Sequence, residues 1–163
     1  VVRGPPTFEG YEGDPQATKD AFFHGEWFNT GDLGWMDKDG YLYITGRSKE
    51  VINRGGEIIS PFEIEESLVA HEKVKACIAF SVPHDVLDEG IGIAVVAEDG
   101  VPKPSLRALQ SYCKQTLTFA KWPQVLVLIP DLPKNHANKP LRVKLADRLN
   151  LTSFWGGAMT DGM

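Results

Sequence analysis

The sequence is poor in cysteine and has no long apolar run, and both absences argue against whole classes of protein. Cys77 and Cys113 are the only cysteines in 163 residues, and they lack the spacing of a disulfide framework or a metal site. We expect both thiols to be free and buried, as in an intracellular protein of a reducing compartment such as the cytoplasm; no organelle is indicated. Because no apolar run approaches the ~20 residues that cross a membrane, no membrane span is expected.

An excess of basic residues is also lacking. The chain has 17 Lys and Arg against 22 Asp and Glu, a formal net charge of −5. Binding to a phosphate backbone needs clustered basic residues, so we expect no nucleic-acid partner. No signal-peptide pattern is found at the first residues. The first residue is Val1 and not an initiator methionine, so we expect the chain to be cut from something longer.

The segment Thr30-Gly31-Asp32-Leu33 is the first candidate for chemistry. A carboxylate such as Asp32 can accept hydrogen bonds from both vicinal hydroxyls of a ribose, and a glycine beside it lets the backbone pass close to a ligand. The alternative is an aspartate that caps a turn. The four residues alone do not decide between these roles.

An Asp-Gly pair predicts a tight hairpin directly after this segment. Asp39-Gly40 lies between two β-prone runs, so the second strand returns the chain to its starting end. This hairpin could place Asp32 and Arg47 on one rim, where Arg47 could donate to the same hydroxyls. The alternative for Arg47 is a surface ion pair with Asp37 or Asp39.

After Lys49 the pattern alternates as β-α-β-β-α-β-α, which predicts a compact α+β domain over residues 49 to 150. The segment from Leu151 to Met163 is predicted to be a tail or linker. The expected strands and helices are three β-rich runs (Val74 to Val82, Ile91 to Ala97, Gln124 to Ile129), a helix from Pro61 with an apolar face of Phe62, Ile64, Leu68 and Val69, a helix capped by Ser105, and a short helix after Pro140.

Two loops of this domain are further candidates. Gly55-Gly56 lies between strand-like segments and could let an extended ligand pass closely, or could simply form a hairpin turn. Lys139 ends a long polar loop, where it could deliver a point charge to a phosphate or be solvated like most loop lysines.

Together, these segments resemble the adenylate-forming superfamily of acyl-CoA synthetases, nonribosomal adenylation domains and beetle luciferases. Five ordered motifs at family-like spacing are far more specific than any one of them. They are Gly4-Pro5 through Phe22, Gly25 to Gly34, Tyr41 to Asn53, Ile58 to Glu65, and the lysine loop Leu132 to Lys139.

The resemblance implies a role for each candidate residue. Asp32 and Arg47 bind the ribose of ATP and of the acyl-adenylate, and Lys139 bridges carboxylate and phosphate oxygens during adenylation. Lys49 is the hinge about which a small domain rotates, and Gly55 and Gly56 line a tunnel for the pantetheine thiol. The family has glycine where this chain has Asn138, a residue that tolerates positive φ.

The fold implied by the resemblance is a small C-terminal lid domain with a central β-sheet flanked by helices. A β-hairpin remnant of the large N-terminal adenylation domain precedes it. The expected boundaries are residues 1–47 for the remnant, 48–150 for the mobile domain and 151–163 for the tail.

The function implied is that of the C-terminal part of an ATP-dependent acid–thiol ligase. It activates a carboxylic acid as acyl-AMP and transfers the acyl group to CoA, with ATP, Mg²⁺ and CoA as cofactors and the missing N-terminal domain as partner. Residues 49–57 look more like a CoA ligase; the alternative is an adenylation or docking domain that loads a carrier-protein phosphopantetheine. No phosphate loop is present, so the 163 residues alone are expected to be inactive.

Overall fold

The computed structural model of the protein describes residues 1–136 and 138–154. The chain divides into two compact units, Val1–Lys49 and Glu50–Met163. Within the described residues, no helix is both long and apolar enough to cross a membrane.

The first unit is built from short elements and two small sheets. Strands β1 and β2 pair antiparallel, as do β3 and β4. The Asp14 side chain caps the helix by accepting the Ala17 N–H at 2.8 Å. The elements are α1 (Pro15–Ala21), β1 (Phe22–Phe23), β2 (Trp27–Phe28), β3 (Asp32–Met36) and β4 (Leu42–Arg47).

The β3–β4 hairpin confirms the turn predicted from Asp39-Gly40. The Asp37 carboxylate accepts the N–H groups of Asp39 at 3.0 Å and Tyr41 at 2.9 Å, and Gly40 has a φ of +88°. A carboxylate that folds back onto the turn and a glycine in the left-handed region are what a tight turn requires. The strands therefore pair in a register that places Asp32 opposite Arg47.

The second unit contains a five-stranded sheet with helices on both faces. Strand β8 (Asp88–Ala97) pairs antiparallel along one edge with β7 (Val74–His84). Along its other edge, β8 pairs parallel with β9 (Val125–Leu128) and antiparallel with β5 (Ile52–Arg54), which forms a hairpin with β6 (Glu57–Ile59). The elements are β5 (Ile52–Arg54), β6 (Glu57–Ile59), α2 (Pro61–Val69), β7 (Val74–His84), β8 (Asp88–Ala97), α3 (Leu106–Cys113), β9 (Val125–Leu128) and α4 (Leu145–Arg148), with a single 3₁₀ turn at Phe119–Lys121.

Alternate residues of β7 face two separate cores. Cys77 and Ala79 belong to a core that includes residues of α2 and α3, whereas Ile78, Phe80 and Val82 belong to a second core that includes Leu145 and Ala146 of α4. Successive side chains of a strand point to opposite faces of the sheet, so both faces are covered. The predicted fold class, α+β with a central sheet flanked by helices, is confirmed.

Both cysteines are free and buried, as predicted. Burial raises the pKa of the Cys77 thiol to about 12 and that of Cys113 to about 11. Because the thiolate is the reactive form, both groups are inert at neutral pH and serve as small apolar side chains of the core.

Three local predictions require correction. Phe62 and Val69 are exposed, so the buried face of α2 consists of Pro61, Ile64 and Leu68. The last helix begins only at Leu145, because Lys144 has a φ of +57° and cannot belong to a helix.

The third correction concerns the predicted tail. Phe154 is 4% exposed, and its N–H donates to the Pro83 carbonyl at 3.3 Å. Its ring contacts His84 edge-on at a centroid distance of 4.7 Å. The segment 151–154 is therefore packed onto the second core; the rest of the predicted tail, residues 155–163, lies outside the described residues.

Candidate functional site

Asp32 and Arg47 form an ion pair at the open end of the β3–β4 hairpin. The Arg47 Nε lies 3.0 Å from Asp32 Oδ1, and the side chains are 58% and 29% exposed, respectively. The first and last residues of the hairpin are joined because they face each other in the register. The predicted meeting of the two side chains on one rim is confirmed.

Neither alternative for these residues is supported. The turn before β3 is capped by Asn29, which accepts the Gly31 N–H at 3.0 Å, and by Thr30, which accepts the Asp32 N–H at 3.2 Å. The Asp32 carboxylate is thus not the turn cap, and Arg47 pairs with Asp32 and not with Asp37. A partly exposed carboxylate beside a guanidinium can bind a diol, because one accepts and the other donates.

The Lys139 loop is closed by hydrogen bonds to Asn135. The Asn135 side chain accepts the Lys139 N–H at 2.9 Å, and the Asn135 N–H donates to the Lys139 carbonyl at 2.9 Å. Asn138 has a φ of +60°, so it takes the conformation expected where the family has glycine. Ala137, inside the loop, lies outside the described residues. Lys139 itself is exposed, where its ammonium can reach a ligand.

Gly55-Gly56 forms the turn of the β5–β6 hairpin, as one of its two predicted roles required. The two residues have φ of +60° and +92°, which suits the two-residue turns of right-twisted hairpins. The Gly55 N–H donates to the Leu87 carbonyl at 2.8 Å, and a Cβ on Gly55 would meet the Leu87 side chain at 3.1 Å. Nearby, the buried Arg54 Nε lacks a hydrogen-bond partner among the described residues.

Lys49 is exposed and ends the first compact unit. Glu50 begins the second unit. The hinge predicted for Lys49 and the tunnel role predicted for the two glycines stay predictions.

Sequence reasoning missed a buried ion cluster around Arg142. The arginine is 7% exposed and binds the carboxylates of Glu50 and Glu65. Burial raises the pKa of the Glu65 carboxyl, although Arg142 and the Ala79 N–H act against this shift. The available signal was an arginine between the apolar residues Leu141 and Val143, directly after the lysine loop.

A metal site is not formed in the described part of the chain. No group of three or more His, Cys, Asp or Glu side chains that could hold a metal ion lies in residues 1–136 and 138–154. Among these residues, the site candidates are the Asp32–Arg47 pair, the exposed lysines Lys49 and Lys139 and the Gly55-Gly56 turn.

Residues 63–139 match the family model described as the AMP-binding enzyme C-terminal domain. Oxalate–CoA ligase of Arabidopsis thaliana is 41% identical over 138 residues, which cover 85% of this chain and 26% of that protein. The chain thus spans about a quarter of the length of the relatives that it matches.

Two solved structures share this fold. ATP-bound MatB from Rhodopseudomonas palustris is 32% identical to this chain, with a TM-score of 0.78. The match covers 91% of this chain and 29% of the MatB chain. The second structure is the o-succinylbenzoate CoA synthetase MenE from Bacillus subtilis in complex with an acyl-adenylate intermediate. It is 32% identical to this chain, with a TM-score of 0.80, and the match covers 88% of this chain and 29% of the MenE chain. Residues 63–139 thus belong to the AMP-binding enzyme C-terminal domain family, and the chain as a whole is similar to the C-terminal portion of adenylate-forming enzymes.

Proposed function

We propose that this chain is the C-terminal part of a longer ATP-dependent acid–thiol ligase. The enzyme activates a carboxylic acid as acyl-AMP and transfers the acyl group to CoA. The observation that carries the proposal is the Asp32–Arg47 pair, with an exposed arginine, a partly exposed aspartate and 3.0 Å between Nε and Oδ1, in a chain related to CoA ligases. The 163 residues alone are expected to be inactive, since an N-terminal adenylation domain supplies the acyl pocket and the phosphate loop.

Asp32 and Arg47 would bind the ribose. The Asp32 carboxylate accepts hydrogen bonds from the 2′- and 3′-hydroxyls, and the Arg47 guanidinium carries further N–H donors besides the Nε that pairs with Asp32. Both side chains start from a hydrogen-bonded hairpin, so little conformational entropy is lost when the nucleotide binds. The same pair would hold the ribose of ATP and that of the acyl-adenylate.

Lys139 would act in the first half-reaction. A carboxylate oxygen of the acid attacks the α-phosphorus of ATP, a new P–O bond forms, and the bond to the β-phosphate breaks with release of pyrophosphate. The Lys139 ammonium contacts the carboxylate and α-phosphate oxygens and stabilises the negative charge that develops between them. Its exposed position on a short closed loop supports this role.

The second half-reaction would use the other face of the mobile unit. The CoA thiolate attacks the acyl carbon of the adenylate, a thioester forms, and AMP leaves. We propose that the unit turns about Lys49 so that Lys139 is withdrawn and the Gly55-Gly56 turn lines the pantetheine path. The absence of side chains on this turn, where both glycines have positive φ, supports close passage of an extended ligand.

CoA is preferred to a carrier protein as the acceptor. Oxalate–CoA ligase and o-succinylbenzoate CoA synthetase, two of the proteins named above, both have CoA in their names. Mg²⁺ would arrive with the phosphates of ATP as part of the substrate, which needs no dedicated cage of protein ligands. The free, buried thiols support an intracellular location such as the cytoplasm.

The test is to separate the half-reactions in the complete enzyme that carries this chain. Lys139→Ala is expected to lower the rate of adenylate formation, measured as ATP–pyrophosphate exchange, about 100- to 1000-fold because one stabilising charge is lost. Thioester formation from pre-made acyl-adenylate and CoA is expected to be nearly unchanged. Lys103→Ala, at another exposed lysine, is the matched control. Equal losses in both half-reactions, or none, would refute the assignment.

A further inference from the structure

The Arg142 guanidinium makes contacts through all three of its nitrogens and through one flat face. Its Nε donates to the Ala79 carbonyl at 2.8 Å, and its Nη2 donates to the two carboxylate oxygens of Glu65 at 2.7 and 3.0 Å. The Nη1 donates to the carboxylate of Glu50. The flat face lies over the ring of Phe62, 4.5 Å from its centroid.

These partners come from three separate segments of the chain. Glu50 opens the second unit, directly after Lys49; Glu65 lies in α2; and Ala79 lies in the central part of β7. Arg142 itself follows the lysine loop. One planar fork of donors thus ties the start of the unit, a helix and a strand to the end of the loop, which a single ammonium could not do.

The link between Arg142 and Lys139 is short and stiff. Only Pro140 and Leu141 lie between them, so their Cα atoms are at most about 11 Å apart along the chain. Pro140 fixes its own φ, and the Leu141 N–H donates to the Pro133 carbonyl at 2.8 Å. A displacement of Arg142 would therefore move the base of the loop and with it Lys139.

We infer that Arg142 is a positioning residue for Lys139. By binding Glu50 and the core at once, it holds the lysine loop and the residue after Lys49 in one rigid body. The inference rests on the proposed function of Lys139 in adenylate formation. Arg142 is separated from the solvent by its partners, so it acts through the loop and not on the substrate.

The experiment measures both half-reactions in the complete enzyme for Arg142→Met, Lys139→Ala and the double variant. Arg142→Met is expected to lower kcat of adenylate formation roughly 10- to 100-fold, since displacement of a catalytic group by about 1 Å can cost that much. The double variant is expected to be no slower than Lys139→Ala, because an arginine that acts only through the lysine has nothing left to position. Arg107→Met, at an exposed arginine of α3, is the control.

Glu50→Gln and Arg142→Lys are milder variants that distinguish loss of positioning from loss of folding. Both keep a polar partner in the cluster, and both are expected to slow adenylate formation less than Arg142→Met, while thioester formation from pre-made adenylate stays near the wild-type rate. Additive losses in the double variant, or equal losses in both half-reactions for the folded Glu50→Gln and Arg142→Lys variants, would overturn the inference. If Lys139→Ala has no effect on adenylate formation, the proposed function of Lys139 is refuted, and with it the inference that rests on it.

Discussion

Asp32–Arg47 and Glu50–Arg142–Glu65 are carboxylate–guanidinium groups that use the same chemistry in different surroundings. Asp32–Arg47 lies on an exposed hairpin rim, with one contact between the side chains at 3.0 Å. In Glu50–Arg142–Glu65 the arginine is buried, its two carboxylate partners are partly buried, and the arginine makes contacts to three segments. An exposed pair adds little to stability and stays available to a ligand, whereas a buried group is costly to leave unpaired. We propose that this difference separates a pair that binds a ligand from a cluster that positions the lysine loop.

Breaking the buried cluster should have the largest effect on stability. Arg142→Met leaves the partly buried carboxylates of Glu50 and Glu65 without their cation, and we expect the free energy of unfolding of the chain to fall by about 3 kcal/mol. Urea unfolding measures this. Arg107→Met, which removes an exposed arginine, should change the free energy by less than about 0.5 kcal/mol.

The cysteines give an independent readout of the same change. Cys77 Sγ contacts the Glu65 carbonyl at 3.8 Å, so its exposure reports opening near the cluster. Both thiols should resist a thiol reagent at neutral pH in the native chain and react faster in Arg142→Met. Similar unfolding energies and labelling rates for the arginine variant and its control would show that burial of the cluster is unimportant.

An intermediate effect is expected from the pH dependence of the cluster. The pKa of Glu65 is raised by burial above its usual 4.5, so the folded chain binds this proton more tightly than the unfolded chain. The contribution of Glu65 to stability is thus full below pH 4.5 and is lost as the pH rises through the raised pKa. The free energy of unfolding of wild type minus that of Glu65→Gln should fall over this range. A difference that rises with pH would contradict the assigned direction.

The smallest effect on stability is expected at the exposed pair. Asp32→Ala should change the free energy of unfolding by at most about 1 kcal/mol, because an exposed ion pair is well solvated in the unfolded and folded states alike. In the complete enzyme it should raise the KM for ATP through loss of the ribose acceptor. Asp99→Ala, which removes the exposed pair of Lys75 and Asp99, should change neither. Stability loss without a change in KM would assign Asp32 a structural role.

The local parts of the candidate site could be predicted because they depend on neighbouring residues. Asp39-Gly40 forms the predicted hairpin, and Gly55-Gly56 takes positive φ as a glycine turn does. Which side chains of a helix are buried was less predictable. Phe62 was expected in the core by its spacing, but it is exposed and covers the guanidinium of Arg142 instead.

The sequence by itself determined the turns, the order of strands and helices and the identity of the polar residues, since each depends on residues a few positions apart. Only the tertiary structure decided which charges are buried. Arg142 meets Glu65 across 77 residues and Glu50 across 92, and no local pattern encodes these contacts. Arg142 is buried because α2 and β7 pack together around it, and an arginine is rarely buried without such partners. We propose that this packing fixes the base of the lysine loop.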